Sequence, residues 1–561
     1  MMMSPLTIAV AQARFAVADF TANIHKIVAI AKAAQAQAAD LLLLPELALC
    51  GVALQDLVSR ESFLAAQQEA LHSLAQELAQ CRDLHVVVGH LTLHEGQLFN
   101  SASVLLNGEI KQTHHQLSAK SSKLLGATFY LKNGIDLEQN TLELKGHRFA
   151  TAIGDDIWRT GFAERIAEQG VDSLLLLDAT PYHVGRISEY QKRLADQLVA
   201  QPFNVFYTNQ VGAHDELIYE GHAFLLNQEQ ELQLELDHFV EAMAIFELEN
   251  DHHWSFVKAH DLSTNEHVTA ASETLLYQST EATESEIWRA LVLSTRDFLR
   301  DSGIGKAALG LSGGMDSALV LAVLYDAIGP ANITAVMLSS KYTSQLSLDL
   351  AEDMAGRLGV TYHNISIEPM FKAYMEGLAP FFGDLPADTT EENLQARIRG
   401  VILMALSNKL GGMIICSGNK SEAATGYSTL YGDTVGGFAI LKDIPKTLVY
   451  RLAHWRNQQH EIIPPGIISR APSAELAEGQ VDQDSLPPYD VLDEILYRLI
   501  DLKQSSEAIV EAGFDEATVQ RIGRLLKFNE YKRRQTAPGP RISEGSFGLD
   551  WRYPLAHGFK Y

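Results

Sequence analysis

Apolar residues in the first 260 positions fall into short runs separated by stretches with helical spacing. Leu6–Ala11, Leu41–Leu44, Val86–Gly89, Ala102–Leu106, Leu174–Leu177 and Val205–Thr208 have the length and apolar character of buried strands. Between them, Ile24–Ala39 and Ser62–Ala79 are rich in alanine and amphipathic, which predicts helices. The alternation of the two predicts a layered α/β domain. Over residues 261–285 the periodicity fades into Ser, Thr and Glu, the mark of a linker. A helix then starts near Glu286 with Trp288, Leu291, Leu293 and Phe298.

The second half repeats the pattern. Ala307–Leu311 and Ile333–Leu338 read as strands, Asp316–Ile328 and Leu346–Leu358 as helices. Such strand–helix–strand units predict a doubly wound parallel sheet. Thr389-Thr390-Glu391-Glu392 has capping-box spacing and predicts a helix reaching about Leu410, followed by a strand at Met413–Cys416. Beyond Gln535 the chain is rich in Pro and Gly and is expected to wrap the surface. The expected organisation is residues 1–260, a linker at 261–285, and residues 286–561.

Composition narrows the function. The chain has 561 residues, 47% hydrophobic and 20% charged, enough for large cores. Its net charge of -26 repels nucleic acid and anionic membranes, so neither is expected as a partner. The three cysteines, Cys50, Cys81 and Cys416, are too far apart for a disulfide framework or a zinc site. Cys50 and Cys81 read as small buried hydrophobes. Met1–Ala11 lacks a basic leader, and no apolar run approaches the roughly 18 residues of a membrane helix, so a cytoplasmic protein is expected.

Candidate chemistry begins at Ser312-Gly313-Gly314-Met315-Asp316-Ser317, between a predicted strand and helix. Glycines let a backbone approach an anion, and a helix N-terminus offers free N–H groups, so phosphate fits there. Ser312 and Ser317 add hydroxyl donors. A carboxylate among phosphates needs a cation between them, so Asp316 reads as a Mg²⁺ ligand. Two other readings stay open on this loop alone. One is a plain tight turn. The other takes Gly310-Leu311-Ser312-Gly313-Gly314 as a G-x-S-x-G nucleophile elbow.

The hexapeptide resembles the pyrophosphatase loop of the N-type ATP-pyrophosphatase family. Four further stretches resemble NAD synthetases specifically: Glu392–Gly400, Gly418–Glu422, Tyr431-Gly432-Asp433 and Tyr531–Gln535. The resemblance implies an adenine nucleotide α-hydrolase-like fold. It also implies ATP-dependent adenylation of the nicotinate carboxylate of deamido-NAD, followed by attack of ammonia to give NAD and AMP. It places ATP on Gly310, Leu311, Ser312, Gly313, Gly314, Met315, Asp316, Ser317, Arg399 and Ser417. Asn393, Glu422, Asp433 and Lys532 fall to deamido-NAD, Asp316 and Glu422 to Mg²⁺, and Lys446 to the ATP phosphates. Ser417 stands where the family usually has Thr. The densest basic run, Lys532-Arg533-Arg534, reads either as a solvated tail or as a seat for dinucleotide phosphates. The resemblance further implies pairing of synthetase domains into a homo-oligomer.

In the first half, Pro45–Leu49, Phe99–Ala102, Pro181–Arg186 and Asn209–Leu217 resemble the nitrilase-like glutaminase domain of glutamine-dependent NAD synthetases. That resemblance implies an αββα sandwich in which a Glu, a Lys and a Cys hydrolyse glutamine. Glu46 matches the general base. The nucleophile motif I-C-E-D-x-W is matched by Ile153-Gly154-Asp155-Asp156-Ile157-Trp158, which puts glycine at the thiol's position. Alignment through Tyr130 and Gly134 puts Gln116 at the lysine position and Ala127 where a supporting Glu belongs. Lys120 and Lys123 are the candidate substitutes for that lysine. A glycine offers nothing to attack with, so the expected enzyme is an NAD synthetase fed by free ammonia. Two alternatives stand beside it: a small-molecule-sensing first half, and a glutaminase with an unconventional nucleophile.

Overall fold

The structure is a computed structural model and describes residues 5–118, 131–134, 140–250, 253–263, 275–277 and 282–558. Lys120, Lys123, Ala127 and Tyr130 lie outside the described residues. Internal contacts divide the chain into two units, Met1–Glu281 and Ala282–Tyr561.

In the first unit the apolar runs form the middles of two sheets. One has seven strands, in the order His253–Asp261, Ala242–Asn250, Thr7–Gln12, Leu41–Leu43, His85–His94, Gln97–Leu106, Glu109–His115. The other has six, in the order Leu232–Glu235, Phe224–Leu226, Asn204–Thr208, Ser173–Leu177, His147–Ile153, Thr141–Leu144. Alternation along each strand sorts the side chains. Ile8, Val10, Leu41, Leu43 and Val87 pack against Ile153, Leu175, Leu177, Phe206 and Leu225 of the second sheet. Their neighbours Ala9, Ala11, Leu42, Val86 and Val88 pack on the helices Phe20–Ala36 and Glu61–Glu77. On the far face of the second sheet, Ala150, Leu174, Leu176 and Val205 meet Phe162, Ile166, Leu194 and Leu198 from two further helices. The layers are therefore helix, sheet, sheet, helix. Strands covered on both faces have no polar side, which is why they read as unbroken apolar runs.

The second unit holds a five-stranded, wholly parallel sheet in the order Thr361–Ser366, Ile333–Ser339, Ala307–Gly310, Met413–Cys416, Phe438–Ala439. The chain starts in the middle, winds to one edge, then returns to build the other. The reversal falls between Ala307–Gly310 and Met413–Cys416. A doubly wound sheet opens its ligand crevice at the C-terminal ends of the strands that flank this reversal.

Two expectations are corrected. The helix Thr389–Leu410 is capped by Asp388, whose carboxylate accepts from Thr390 N at 2.7 Å while its own N–H donates to Glu391 at 2.8 Å. Glu391, not Glu392, closes the box, because an aspartate competes well with threonine for the cap. The C-terminal tail is also more than a surface wrap. The buried Asp443 carboxylate accepts from Ile542 N at 2.8 Å and Ser543 N at 2.7 Å. Phe547 and Trp551 enter a core with Leu492, Ile495 and Ile522. An irregular segment can be buried here because that carboxylate satisfies its N–H groups. No helix among the described residues is long and apolar enough to cross a membrane.

Asp443 also carries the buried Lys420 ammonium at 2.9 Å. Asp443→Ala removes the nearer carboxylate from that charge, leaving Asp501 at 3.8 Å, and strands two backbone donors. It should lower the stability of the second unit by about 3–5 kcal/mol, read as a shift of its urea midpoint. An unchanged midpoint would show that the tail is held by something else.

Candidate functional sites

The crevice in the second unit is a cavity of about 640 Å³. The expected residues Gly310, Leu311, Ser312, Gly314, Met315, Asp316, Ser317, Asn393, Arg399, Ser417, Glu422, Asp433, Lys446 and Lys532 all line it. Gly313 does not. It adopts φ +76°, and a Cβ on it would lie 2.4 Å from Ser347 O, so it lets the loop pass under the next helix. Ser317 Oγ donates to Gly314 O at 3.1 Å and accepts from Ser312 N at 3.2 Å, which curls the loop around the N-terminus of the helix Met315–Ile328. Ser312 Oγ meets Ser317 Oγ at 3.1 Å and Gly314 N at 3.3 Å. Its partners are loop atoms rather than a base, so the elbow reading has no support.

Charge is concentrated where the two central strands end. Asp316 begins one helix, and Glu422 sits in the first turn of Lys420–Thr425. Asn419 ties them together. Its side chain donates to Asp316 Oδ1 at 3.1 Å, and its N–H donates to Glu422 Oε2 at 3.2 Å. Burial, then the Asp316 charge, push the Glu422 pKa well up, with Lys446 acting against them. The buried Lys446 ammonium is ion-paired to Asp316 Oδ2. Burial disfavours that ammonium, but Asp316 and Glu422 outweigh it and its pKa is raised. Two crowded carboxylates served by one lysine form an oxygen donor set suited to a hard divalent cation.

Around this centre the cavity is mixed. Arg399 donates to Leu338 O at 2.9 Å, and burial pulls its pKa down to about 10, still protonated at neutral pH. Asn393 accepts from Thr429 Oγ1 at 2.7 Å, and Asp433 accepts from Thr429 N at 2.6 Å, so one threonine positions both. The basic run splits three ways. Lys532 donates to Gly426 O and Ser428 O at 2.7 Å each and faces the cavity. Arg533 is buried, paired with Glu530 at 3.0 Å. Arg534 also pairs with Glu530 and donates to Tyr553 O. Sequence reasoning missed the segment from Arg470 to Ser485, much of which lines the cavity. Arg470 holds Glu475 at 2.9 Å, and both reach Ser347 beside the loop. Its only signal was an irregular stretch with Pro472 and Ser473.

The first unit's site also lies at strand ends. Glu46 follows Leu41–Leu43, Gly154 follows His147–Ile153, and Gln116 follows Glu109–His115. A Cβ on Gly154 would lie 3.1 Å from both Glu46 Oε2 and Gln116 Nε2, so these three positions converge. Gly154 has φ +49° and opens a short 3₁₀ turn. Asp156 fixes that turn by accepting from Leu117 N at 2.7 Å and Ser118 N at 2.9 Å. Asn100 donates to Glu46 Oε1 and, at 3.1 Å, to Gln116 Oε1. Gln116 donates to Ile153 O at 3.0 Å, and Gln210 donates to Glu46 O at 2.8 Å. Burial, then Asp178, push the Glu46 pKa well up, aided by Asp155 and Asp156 and opposed by the Asn100 hydrogen bond. Cys50, Cys81 and Cys416 are buried and free, and burial pushes the Cys50 and Cys416 thiols up to about 12, far from thiolates.

Residues 7–251 match the carbon-nitrogen hydrolase family model, and residues 287–536 match the NAD synthase model. The chain is 39% identical to the glutamine-dependent NAD(+) synthetase of Acinetobacter baylyi, over 100% of this chain and 99% of that one. It is 40% identical to the Xanthomonas campestris protein of the same name, over 99% and 98%. A solved structure of the Acinetobacter baumannii glutamine-dependent NAD+ synthetase with ADP aligns at TM-score 0.75 and 37% identity, covering 98% of each chain.

The crowding at Glu422 has a measurable consequence for the protein without ligand. A carboxyl whose folded pKa is raised destabilises the fold once ionised. That cost is present at pH above the folded pKa and absent below the unfolded one. Glu422→Gln should therefore raise the denaturation midpoint at pH 8 by the equivalent of about 0.5–2 kcal/mol. The gain should shrink toward pH 4. A gain that does not vary with pH would show that charge is not its source.

Proposed function

This chain belongs to the glutamine-dependent NAD(+) synthetase family, and we propose that it makes NAD with free ammonia as its nitrogen donor. The observation that carries the choice of donor is the convergence of Gly154 and Gln116 on Glu46, where the family resemblance implies a thiol and an ammonium. Without a nucleophile there is no acyl-enzyme, and without a lysine there is no cation beside the base. Glutamine hydrolysis then has no route through this pocket.

On this reading the second unit performs both chemical steps. The Ser312–Ser317 loop takes the pyrophosphate end of ATP on its N–H groups and hydroxyls, as the ADP complex of the Acinetobacter baumannii relative suits. Asp316 and Glu422 would hold Mg²⁺, which when bound would neutralise charge on the phosphates. Lys446 adds a fixed positive charge beside them. Arg399 faces the ATP end of the cavity. Asn393, Asp433 and Lys532 face deamido-NAD. A nicotinate carboxylate oxygen attacks the α-phosphorus and pyrophosphate leaves. Ammonia then attacks the acyl carbon and AMP leaves.

The test is NAD formation by the purified chain with ATP, Mg²⁺ and deamido-NAD, supplied with either ammonium or glutamine. Ammonium should support turnover, and the glutamine rate should fall at least about 10³-fold below it, the scale of losing a nucleophile. Steady ammonia release from glutamine, proportional to enzyme, would show a working glutaminase. Glutamine binding without turnover would favour the sensing alternative.

We infer a homo-oligomer from the family resemblance, and exposed apolar residues of the second unit support it. The helix Glu368–Phe382 buries none of its residues. Phe381 is 81% exposed and Leu385 76%, and Val401 on the next helix is 62% exposed. Exposed apolar side chains of this kind, on two successive helices and the connection between them, are suited to burial against a second copy of the chain. Phe381→Glu with Val401→Glu should convert the oligomer to monomer in light scattering. A wild-type monomer at working concentration would refute the assembly.

A further inference from the structure

We propose that Asp493, a buried carboxylate outside the cavity, is the positioning residue that fixes Lys446 against Asp316. This rests on the proposed seating of ATP in the cavity, and names what holds the lysine there.

Lys446 opens the helix Lys446–Gln459. The first N–H groups of a helix have no partner within it and need an acceptor from outside. Pro445, which precedes this helix, offers no side-chain acceptor. Asp493 supplies the cap from another helix, Tyr489–Ile500. Its Oδ2 accepts from Thr447 N and from Thr447 Oγ1, at 2.8 Å each. Its Oδ1 accepts from the Ser421 hydroxyl, and Ser421 Oγ accepts in turn from Lys446 N at 2.9 Å. Ser421 stands next to Glu422 in the first turn of Lys420–Thr425. One buried carboxylate thus ties the start of the Lys446 helix to the turn that carries Glu422. The same helix reaches the other end of the lysine. Tyr489 lies one turn before Asp493, so the two share a helix face. Its ring centre is 5.6 Å from the Lys446 ammonium, and its hydroxyl donates at 2.8 Å to Asp482 on the cavity wall. Lys446 is therefore held at its backbone through Asp493 and at its ammonium by Tyr489 and Asp316. Neither Asp493 nor Tyr489 lines the cavity.

Stability alone gives a poor account of this carboxylate. The helix Tyr489–Ile500 is already docked by Leu492, Ile495, Leu496 and Leu499, which pack in one core with Phe547 and Trp551. A buried carboxylate adds little net stability over a well-packed apolar side chain, but its hydrogen bonds can specify one geometry. Lysine has a long, flexible stem, so its ammonium is placed only as well as its backbone is. A displacement of about 1 Å in such a group can cost about 10²-fold in rate. The donors that Asp493 takes belong to Thr447 and Ser421. The first follows Lys446 in the chain, and the second is the acceptor of the Lys446 N–H group. Anchorage at these points sets the position and direction of the lysine and leaves the rest of its helix free of polar ties to Asp493.

The test is a double-mutant cycle in the full chain, read as NAD formation from ammonium, Mg²⁺, ATP and deamido-NAD. Asp493→Ala should lower kcat about 10–100-fold, the scale of losing a group that orients another. The KM for deamido-NAD should change less than about 3-fold. Asp493→Asn should recover most of the loss, because an amide oxygen in the place of Oδ2 still accepts from both Thr447 donors. In a Lys446→Met background Asp493→Ala should cost less than about 3-fold more, since the group it positions is gone. If Asp493→Ala does not fold, Ser421→Ala, which removes the acceptor of the Lys446 N–H group, takes its place in the cycle. A residue that only stabilises the fold would lower the denaturation midpoint and leave the kcat of folded enzyme unchanged, and that result would overturn the proposal. So would losses that multiply in full in the double variant, or a loss in Asp493→Asn as large as in Asp493→Ala. A wild-type chain that makes no NAD would sink the reading of the cavity. The same cycle is then read from calorimetric binding of ATP with Mg²⁺, which Asp493→Ala and Lys446→Met should each weaken and the double variant weaken no further. Binding unchanged by Asp493→Ala, or absent in the wild type, would overturn the proposal.

Discussion

Both sites in this chain rest on one constraint, the crowding of carboxylates at the C-terminal ends of buried parallel strands. In the second unit, Asp316 and Glu422 share Lys446. In the first, Glu46 faces Asp178, Asp155 and Asp156. Buried charge is expensive, and a fold keeps it only where geometry leaves no cheaper arrangement or where a guest relieves it. The strand ends supply that geometry. They fix the carboxylates on rigid backbone, so the groups cannot swing apart into solvent.

The fold was largely legible because buried parallel strands leave a plain mark. Leu174–Leu177 and Val205–Thr208 have no polar face, so their apolar runs could hardly be anything else. Boundaries set by a single side chain were less legible. The Thr389–Leu410 helix starts at Asp388 because an aspartate took the cap, and periodicity carries no record of that choice. The tail after Gln535 misled for a similar reason. Its Pro and Gly content describes irregular backbone, but its burial depends on Asp443, nearly a hundred residues earlier.

Site residues divided along the same line. Local motifs such as Ser312–Ser317 gave their place at the crevice openly. The turn at Gly154 is likewise local, because Asp156 two residues on is the group that ties it to Leu117 and Ser118. The Arg470–Ser485 segment could not be found this way. Its contacts with Ser347 and Gln395 run across more than eighty residues, and no spacing in the sequence encodes them. The basic run at 532–534 shows the converse error. Three adjacent cations look like one patch, yet a helical turn sends Lys532 to the cavity and Arg533 into the core.

The two sites answer the crowding of their carboxylates by different means. Around Glu46 the hydrogen bonds of Asn100, Gln116 and Gln210 hold the pocket in shape. Burial and the neighbouring acids raise the Glu46 pKa, which favours the protonated carboxyl. In the second unit the ion pair of Lys446 with Asp316 offsets part of the same crowding, and burial with the Asp316 charge raises the Glu422 pKa. One physical condition, carboxylates crowded at strand ends, is thus met by a favoured proton in the first site and by a buried ammonium in the second.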